Sequence, residues 1–233
     1  MENVHHSASS HGTVHRRRRQ IHFGVLFSAL ILYILASPWF DTIGSLAGVA
    51  LSLLLIAAAY STVESGNMWP PVAIFGAALA FGWLQEALGL EGAAPVSRVL
   101  YVGVFIYAVV RVFRYVIHAR KVTFNVLMAG ISTYLLIGLA WTMFYLIVWG
   151  LMPDAFSGAV TATADAGVHT RELLYYSFVS LTTVGYGDIT AVSPLARALS
   201  VLEVLSGVLY LGVLVARLVS MYSAEASGEE SSH

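Results

Sequence analysis

Positions 182–188 read Thr-Thr-Val-Gly-Tyr-Gly-Asp, a composition that suits a cation site built from main-chain oxygens. Glycine adopts left-handed backbone conformations without a steric penalty, so Gly185 and Gly187 allow ordinary and left-handed residues to alternate. Such an alternation turns successive carbonyl oxygens to one side, where they can take the place of the hydration shell of an alkali cation. The side chains of Val184 and Tyr186 then point away from these oxygens and pack behind them.

The overall composition places this run in a membrane protein. Hydrophobic residues make up 58% of the 233 residues and charged residues 11%, with a mean hydropathy of +0.77, whereas soluble domains have about 25% charged residues. The absence of cysteine excludes disulfides, thiolate metal sites and cysteine catalysis. The sequence contains no phosphate-binding glycine loop, metal-ligand cluster or catalytic pair. We therefore expect no enzyme activity, no resident cofactor and no nucleic-acid partner.

Six apolar segments predict an all-α membrane protein with six transmembrane helices. Each approaches the roughly 20 residues that an α-helix needs to cross a bilayer. The segments are 21–38, 43–62, 71–88, 99–117, 122–151 and 195–219. A seventh stretch, 171–181, is too short to cross and runs directly into residues 182–188. We therefore expect a re-entrant helix and its loop between the fifth and sixth spans.

Basic residues beside two of the spans indicate the orientation of the chain, because cytoplasmic loops carry an excess of arginine and lysine. The two groups are Arg16, Arg17, Arg18 and Arg19 before the first span and Arg111, Arg114, Arg120 and Lys121 after the fourth. Six crossings place both groups and both termini in the cytoplasm. The predicted units are a disordered tail (1–20), a four-helix membrane domain (21–121), a loop-bearing domain (122–219) and a short tail (220–233).

The pentapeptide Thr-Val-Gly-Tyr-Gly at positions 183–187 resembles the selectivity filter of the potassium channel family, of the six-span type with one pore loop. The resemblance implies that 171–181 is the pore helix. The carbonyls implied to bind K⁺ are those of Thr183, Val184, Gly185 and Tyr186, and the residues that complete and support the filter are Gly187, Thr182 and Asp188. The resemblance covers 122–219 well, whereas over 1–121 it rests on the number and order of spans.

The resemblance also implies a function and a partner. The chain is expected to be a potassium-selective channel subunit of a plasma or inner membrane, with passive permeation of K⁺. One filter strand per chain requires four copies around an axis, so the expected partner is the chain itself in a homotetramer. The alternatives are a weakly selective cation channel and a non-conducting accessory or transporter subunit that reuses a pore loop.

Two residues of the last span are candidate gating residues. A carboxylate at this depth is unfavourable unless it is paired, protonated or hydrated, so Glu203 is expected either to brace the pore helix or to act as a protonation-dependent gate. Gly207 matches an inner-helix glycine of the family and either bends the helix or allows close packing. In the family's register one helical stripe lines the cavity, although such a stripe also suits a lipid-facing surface. Its residues are Val208, Leu211, Val215 and Val219.

The fourth span carries an incomplete version of the arginine repeat of voltage sensors. Arg111, Arg114 and Arg120 share a three-residue register, but Ile117 interrupts it and residues 99–110 contain no charge. The positive charges therefore lie at the cytoplasmic end already, and we expect no strong voltage dependence. The stimulus that opens the pore is not specified by these residues.

Overall fold

The chain folds into seven α-helices and one short antiparallel strand pair within the residues that a computed structural model describes. Those residues are 10–40, 46–62, 69–89, 94–158, 160 and 166–230. The helices are α1 (Ser10–Ala36), α2 (Leu46–Thr62), α3 (Trp69–Ala87), α4 (Ala94–His118), α5 (Phe124–Leu151), α6 (Ala166–Leu181) and α7 (Pro194–Glu230). The strands are β1 (Phe156–Ser157) and β2 (Thr190–Ala191), in the register Phe156 to Ala191 and Ser157 to Thr190.

Helix α5 lies at the centre of the fold, because α1, α4, α6 and α7 all pack against it. Small residues on membrane helices let neighbouring backbones approach closely. A Cβ atom added to Gly138 would lie 2.8 Å from the ring of Phe178 on α6. One added to Gly130 would lie 3.0 Å from the side chain of Leu214 on α7. These two glycines allow α6 and α7, which flank residues 182–188, to pack directly on α5.

Helices α4 and α5 form a hairpin joined by the five residues 119–123. Thr123 caps α5, since its hydroxyl accepts a hydrogen bond from the Val126 amide at 3.3 Å. Polar contacts join the two helices at both ends. The Asn125 amide donates to the Tyr115 hydroxyl at 3.0 Å, and the Arg98 guanidinium donates to the Leu146 carbonyl at 3.1 Å. We call helices α1–α4 the four-helix unit.

Three helices are long and apolar enough to cross a membrane, namely Pro95–His118, Phe124–Leu151 and Pro194–Ser223. Three shorter apolar helices are Phe23–Trp39, Leu46–Ser61 and Pro71–Gln85. All six overlap the apolar segments predicted from the sequence. The prediction of a mostly helical protein with membrane-spanning helices is confirmed, and the number of crossings stays a prediction.

The two terminal helices are longer than the sequence suggested. Helix α1 begins at Ser10, so residues 10–20 are helical although we expected a disordered tail, of which residues 1–9 lie outside the described ranges. Helix α7 continues beyond Val219 to Glu230, into the predicted short tail. Arginine, glutamine, alanine and glutamate are good helix formers, and adding a residue to an existing helix is far easier than starting one.

Two further differences lie around the predicted pore helix. Helix α6 begins at Ala166, five residues before the expected start at 171. The all-α prediction also missed β1 and β2, which have two residues each. Strands of that length are too short to show an alternating hydrophobic pattern.

Candidate functional site

The loop that follows α6 is fixed by hydrogen bonds from its amides to the end of that helix. The amides of Val184 and Gly185 both donate to the carbonyl of Val179, at 3.0 and 3.3 Å. The amide of Thr183 donates to the Ser180 carbonyl at 2.9 Å. Carbonyls at a helix end lack partners within the helix, so the loop satisfies them. Among the described residues no hydrogen bond uses the carbonyl oxygens of 183–186.

Alternate residues of this loop have left-handed backbone conformations. The φ angles are +62° at Thr183, +57° at Gly185 and +80° at Gly187, and no other residue of 182–188 has a positive φ. The two glycines therefore lie where the sequence placed left-handed residues, and Thr183 adds a third that we did not predict. A positive φ at threonine is uncommon because its β-branched side chain crowds the backbone. The hydrogen bond from the Thr183 amide to the Ser180 carbonyl holds Thr183 in this conformation.

The side chains of Val184 and Tyr186, which alternate with the left-handed residues, are exposed in the single chain. Val184 is 52% exposed and Tyr186 is 71% exposed. Neither packs behind the carbonyls of its own chain in the way that we expected. Large apolar side chains on an ordered loop usually find a partner surface, and within one chain these two have little.

Asp188 closes the loop and is hydrogen-bonded to α6. The Tyr175 hydroxyl donates to one carboxylate oxygen at 2.8 Å, and the Ile189 amide donates to the other at 3.0 Å. The hydrogen bond from Tyr175 lowers the pKa of Asp188 below its ordinary value, because it stabilises the ionised carboxylate. Thr182, at the other end of the loop, donates its hydroxyl to the Phe178 carbonyl at 2.6 Å. Both ends of the loop are thus attached to α6.

The strand pair β1–β2 holds the segment after the loop. The Val192 amide donates to the Ala155 carbonyl at 2.8 Å, and Arg197 donates its Nε hydrogen to the Ala191 carbonyl at 3.1 Å. A Cβ atom on Gly158, which has a φ of +102°, would collide with the Asp188 carbonyl oxygen. Glycine is therefore required at 158, although no sequence pattern indicates that this residue meets the loop.

Tyr175→Phe should make the loop more sensitive to acid. The pKa of Asp188 is depressed by the Tyr175 hydroxyl, so the ionised, hydrogen-bonded form is present at neutral pH and is lost as the pH falls through that depressed pKa. Without the hydroxyl the pKa rises toward its ordinary value, and the loss begins at a higher pH. A titration of ion flux against the pH on the loop side measures this shift, with Tyr222→Phe, an exposed tyrosine near the end of α7, as the control. An identical midpoint in both variants would contradict the assignment.

Glu203 is completely buried and connects three helices. Its side chain is 0% exposed. The Tyr145 hydroxyl of α5 donates to one carboxyl oxygen at 2.5 Å, and the Ser177 hydroxyl of α6 contacts the other at 2.5 Å. Ser177 also lies 2.8 Å from the Gly138 carbonyl. Of the two roles expected for Glu203, this geometry is that of a brace on α6. Protonation-dependent gating stays a hypothesis.

Gly207 lies against the end of α6. A Cβ atom at this position would be 2.7 Å from the Leu181 carbonyl oxygen. Helix α7 runs without a break through this residue. Close packing is therefore the role that the geometry supports, and bending at Gly207 stays a hypothesis.

Helix α7 has one buried face and one exposed face. The exposed face includes the predicted cavity stripe of Val208, Leu211, Val215 and Val219. The buried face includes Tyr210, Leu214 and Met221. The Tyr210 hydroxyl donates to the Gly130 carbonyl of α5 at 2.6 Å, so the buried face is fixed on α5 and the stripe points away from the chain.

Three functional candidates were missed from the sequence, Tyr145, Ser177 and Tyr175. Each acts through a single hydroxyl on a neighbouring helix, and nothing in a helical pattern distinguishes such a residue from other partly polar helix positions. The one available signal was Glu203, because a buried carboxyl requires donors. Its requirement predicted that partners exist but not which residues they are.

Comparison with known proteins gives a family for the part of the chain that contains these residues. A family described as "Ion channel" matches residues 122–224. A segment of 66 residues is 36% identical to "Two pore potassium channel c" of Oryza sativa subsp. japonica. That segment covers 28% of this chain and 14% of the rice protein, so the match spans a small part of its relative. No solved structure gives a significant match.

Proposed function

Through residues 122–224 the chain belongs to the potassium channel family, and we propose that it is a subunit of a potassium-selective channel. K⁺ would cross through a filter formed by the carbonyls of Thr183, Val184, Gly185 and Tyr186. Gly187 completes this filter, and Thr182 and Asp188 support it. The proposed activity is passive transport, without catalysis and without a cofactor other than the permeant ion.

One observation carries this proposal, the alternation of left-handed residues at 183, 185 and 187. With the amides of 183–185 bonded to α6, the carbonyls remain available on the opposite side of the loop. A dehydrated cation requires closely spaced oxygen dipoles of this kind. Irregular backbone at membrane depth is tolerated when it lines a water-filled path, which suits α6 as a re-entrant pore helix.

The proposed assembly is a homotetramer. A single chain supplies one filter strand, and cyclic symmetry lets four copies complete rings of oxygens. The exposed Val184 and Tyr186 side chains then pack against neighbouring copies. Native mass spectrometry from detergent should show a species of about 100 kDa protein mass, four times 25.1 kDa. A dimer as the largest stable species would contradict the proposal.

The proposed topology has six crossings, with both termini in the cytoplasm of a plasma or inner membrane. The three long helices and the three shorter apolar helices supply the six spans. Arg114, Arg120 and Lys121, all exposed at the junction of α4 and α5, then lie on the cytoplasmic side. A tag placed at either terminus should resist protease added from outside the cell, and it should be digested once the membrane has been opened so that the protease reaches the cytoplasm.

Voltage is expected to have little effect on opening. Within α4 the arginines of the three-residue register are confined to the last third of the helix, where Arg114 is exposed. Charges that already lie outside the electric field across the membrane do not move through it when the membrane potential changes, so they supply no energy for opening. A conductance–voltage curve that is nearly flat between about −100 and +100 mV is the expected result. A steep curve made shallower by Arg111→Gln would contradict it.

Ion flux through purified protein in liposomes tests the proposal directly. We expect K⁺ to pass far better than Na⁺, because the filter residues are all present. Equal permeability of both ions would instead indicate a weakly selective cation channel. No flux from a correctly assembled protein would indicate the accessory or transporter alternative.

A further inference from the structure

We propose that in the assembled channel each four-helix unit stays on the pore-forming helices α5, α6 and α7 of its own chain, and that copies meet only through α6, α7 and the filter loop (residues 182–188). The inference rests on the proposed homotetramer and specifies which surface of the chain faces the next copy. The opposite arrangement is a domain swap, in which each four-helix unit packs on the pore-forming helices of a neighbour. The two arrangements have the same mass and symmetry but different contacts.

The connection between α4 and α5 has the length of a hairpin loop. Only residues 119–123 separate the two helices, and five residues span at most about 18 Å when fully extended. They are not extended here, since the Ala119 amide donates back to the Val116 carbonyl at 3.3 Å. Packed helices lie about 8–10 Å apart, so this connection suits helices in direct contact. Reaching past a neighbouring helix would require both helix ends to unwind.

Helix α4 is also fixed to the pore-forming helices along its length. At its first turns Arg98 donates to the Leu146 carbonyl of α5 at 3.1 Å. A row of α4 side chains follows that is buried to at least nine-tenths among the surrounding helices, of which α5 makes the most extensive contact. Its members are Val104, Phe105, Ala108, Val112 and Val116. Association of helices in lipid depends on such close packing and on hydrogen bonds between helices, so giving up this interface would be unfavourable.

The end of the four-helix unit reaches α7 of the same chain. Arg217 donates an Nη2 hydrogen to the Ala119 carbonyl at 2.8 Å. Six residues earlier, in α4, the ring of Phe113 lies 5.6 Å from that of Tyr210. Tyr210 belongs to the buried face of α7, and Arg217 follows it at about two helical turns, on the same side of the helix. The four-helix unit therefore already covers the side of α5 and α7 that a swapped unit from a neighbour would need.

The remaining surface suits a second copy. Large apolar side chains are exposed on the opposite side of α7 and on the filter loop, among them Val184, Tyr186, Val201, Leu205, Val208 and Leu209. This surface is continuous with the filter loop, around which the copies must converge. A second copy is therefore its expected occupant.

Cysteine cross-linking distinguishes the two arrangements, since the natural chain contains no cysteine. The test variant carries Ala119→Cys and Arg217→Cys, which replace two residues in contact. Its matched control carries Ala119→Cys and Val219→Cys. Val219 is two residues further along α7, about 200° around the helix, and is exposed. The assembled protein is treated with a short bis-maleimide and examined by denaturing electrophoresis and mass spectrometry.

We expect the test variant to gain one cross-linker per chain, to lose both free thiols and to run as a monomer, whereas the control keeps its thiols or takes up two separate reagents. Differently tagged chains, each with one of the two test cysteines, should give no cross-linked dimer when they are co-assembled. Dimers from that mixture and a ladder up to tetramers from the test variant would overturn the proposal and establish a domain swap. A second pair, Arg98→Cys with Gly150→Cys, leaves Arg217 in place and tests the other end of α4, where a Cβ atom on Gly150 would lie 2.7 Å from the Arg98 guanidinium.

Failure of both pairs to cross-link would also contradict the proposal, because the contacts that support it would not exist. Native mass spectrometry of the untreated samples separates this failure from that of the tetramer. A protein that is monomeric by native mass spectrometry and forms cross-links only within one chain would contradict the homotetramer on which this proposal rests.

Discussion

Gly185→Asp should abolish the preference for K⁺ over Na⁺ in reconstituted protein. Gly185 has a φ of +57°, a left-handed conformation that destabilises most residues with a Cβ atom by about 1–2 kcal/mol but that aspartate adopts more readily than most. Backbone strain is therefore the smaller part of the effect, and it is repeated in each copy of the proposed homotetramer. Four carboxylates would also stand beside the ion path. Reversal potentials in planar bilayers should no longer separate the two ions, or the current should disappear.

The same substitution at Gly89 is the matched control. Gly89 also has a left-handed backbone, with a φ of +63°, and nothing lies within 4 Å of an added Cβ atom. It follows α3, away from the filter loop. We expect Gly89→Asp to keep the wild-type selectivity. Wild-type selectivity in Gly185→Asp, or an equal loss in both variants, would show that the filter is not where we place it.

Glu203→Ala should destabilise the assembled protein, because Glu203 connects α7 to both α5 and α6. It leaves the hydroxyl of Tyr145 buried without the carboxyl oxygen that accepts from it, and a buried polar group without a partner costs about 1–3 kcal/mol per chain. The Ser177 hydroxyl also loses its contact with Glu203 but keeps the Gly138 carbonyl as an acceptor. Thermal unfolding followed by size-exclusion chromatography should show a lower midpoint and less tetramer. A midpoint equal to that of the wild type would refute the brace.

Glu203→Gln separates the brace from a proton-operated gate. Glutamine keeps the shape and can still accept hydrogen bonds, but it cannot ionise. Since both carboxyl oxygens are engaged and the side chain is 0% exposed, we expect assembly to be retained and the pH dependence of the current to be unchanged. A flattened pH response in this variant would assign the gate to Glu203. Tyr145→Phe and Ser177→Ala, alone and combined with Glu203→Gln, measure how strongly the three side chains are coupled.

The loop and the helices were readable from the sequence because both depend on local patterns. A Thr-Val-Gly-Tyr-Gly pentapeptide fixes backbone conformation through its glycines, and long apolar runs fix membrane helices through their length. The left-handed conformation of Thr183 was not readable, because it depends on the Ser180 carbonyl and on the amides that turn back to α6. Local preference alone would place threonine in an extended conformation.

The partners of Glu203 could not be predicted for a different reason. Tyr145 and Ser177 lie 58 and 26 residues away along the chain, and their proximity depends on how three helices pack. The role of Gly207 depended equally on packing, since only the position of the Leu181 carbonyl distinguishes a close approach from a bend. Counting the spans likewise predicts the order of α1 to α4 along the sequence. It does not predict whether these helices pack on the pore-forming helices of their own chain or on those of a neighbouring copy.

The burial of Glu203 also bears on how the protein enters the bilayer. An acidic side chain in the middle of a helix adds about 2.5–3.5 kcal/mol to the free energy of insertion by the translocon, so Glu203 makes the insertion of α7 on its own less favourable. A ribosome makes the chain from its N-terminus, and both hydroxyl donors are on α5 and α6, which are synthesised first. When α7 leaves the ribosome, the hydroxyl groups of α5 and α6 that contact its carboxyl are already in the membrane. The order of synthesis thus favours a buried acid in α7, whose hydrogen-bond donors belong to helices made before it.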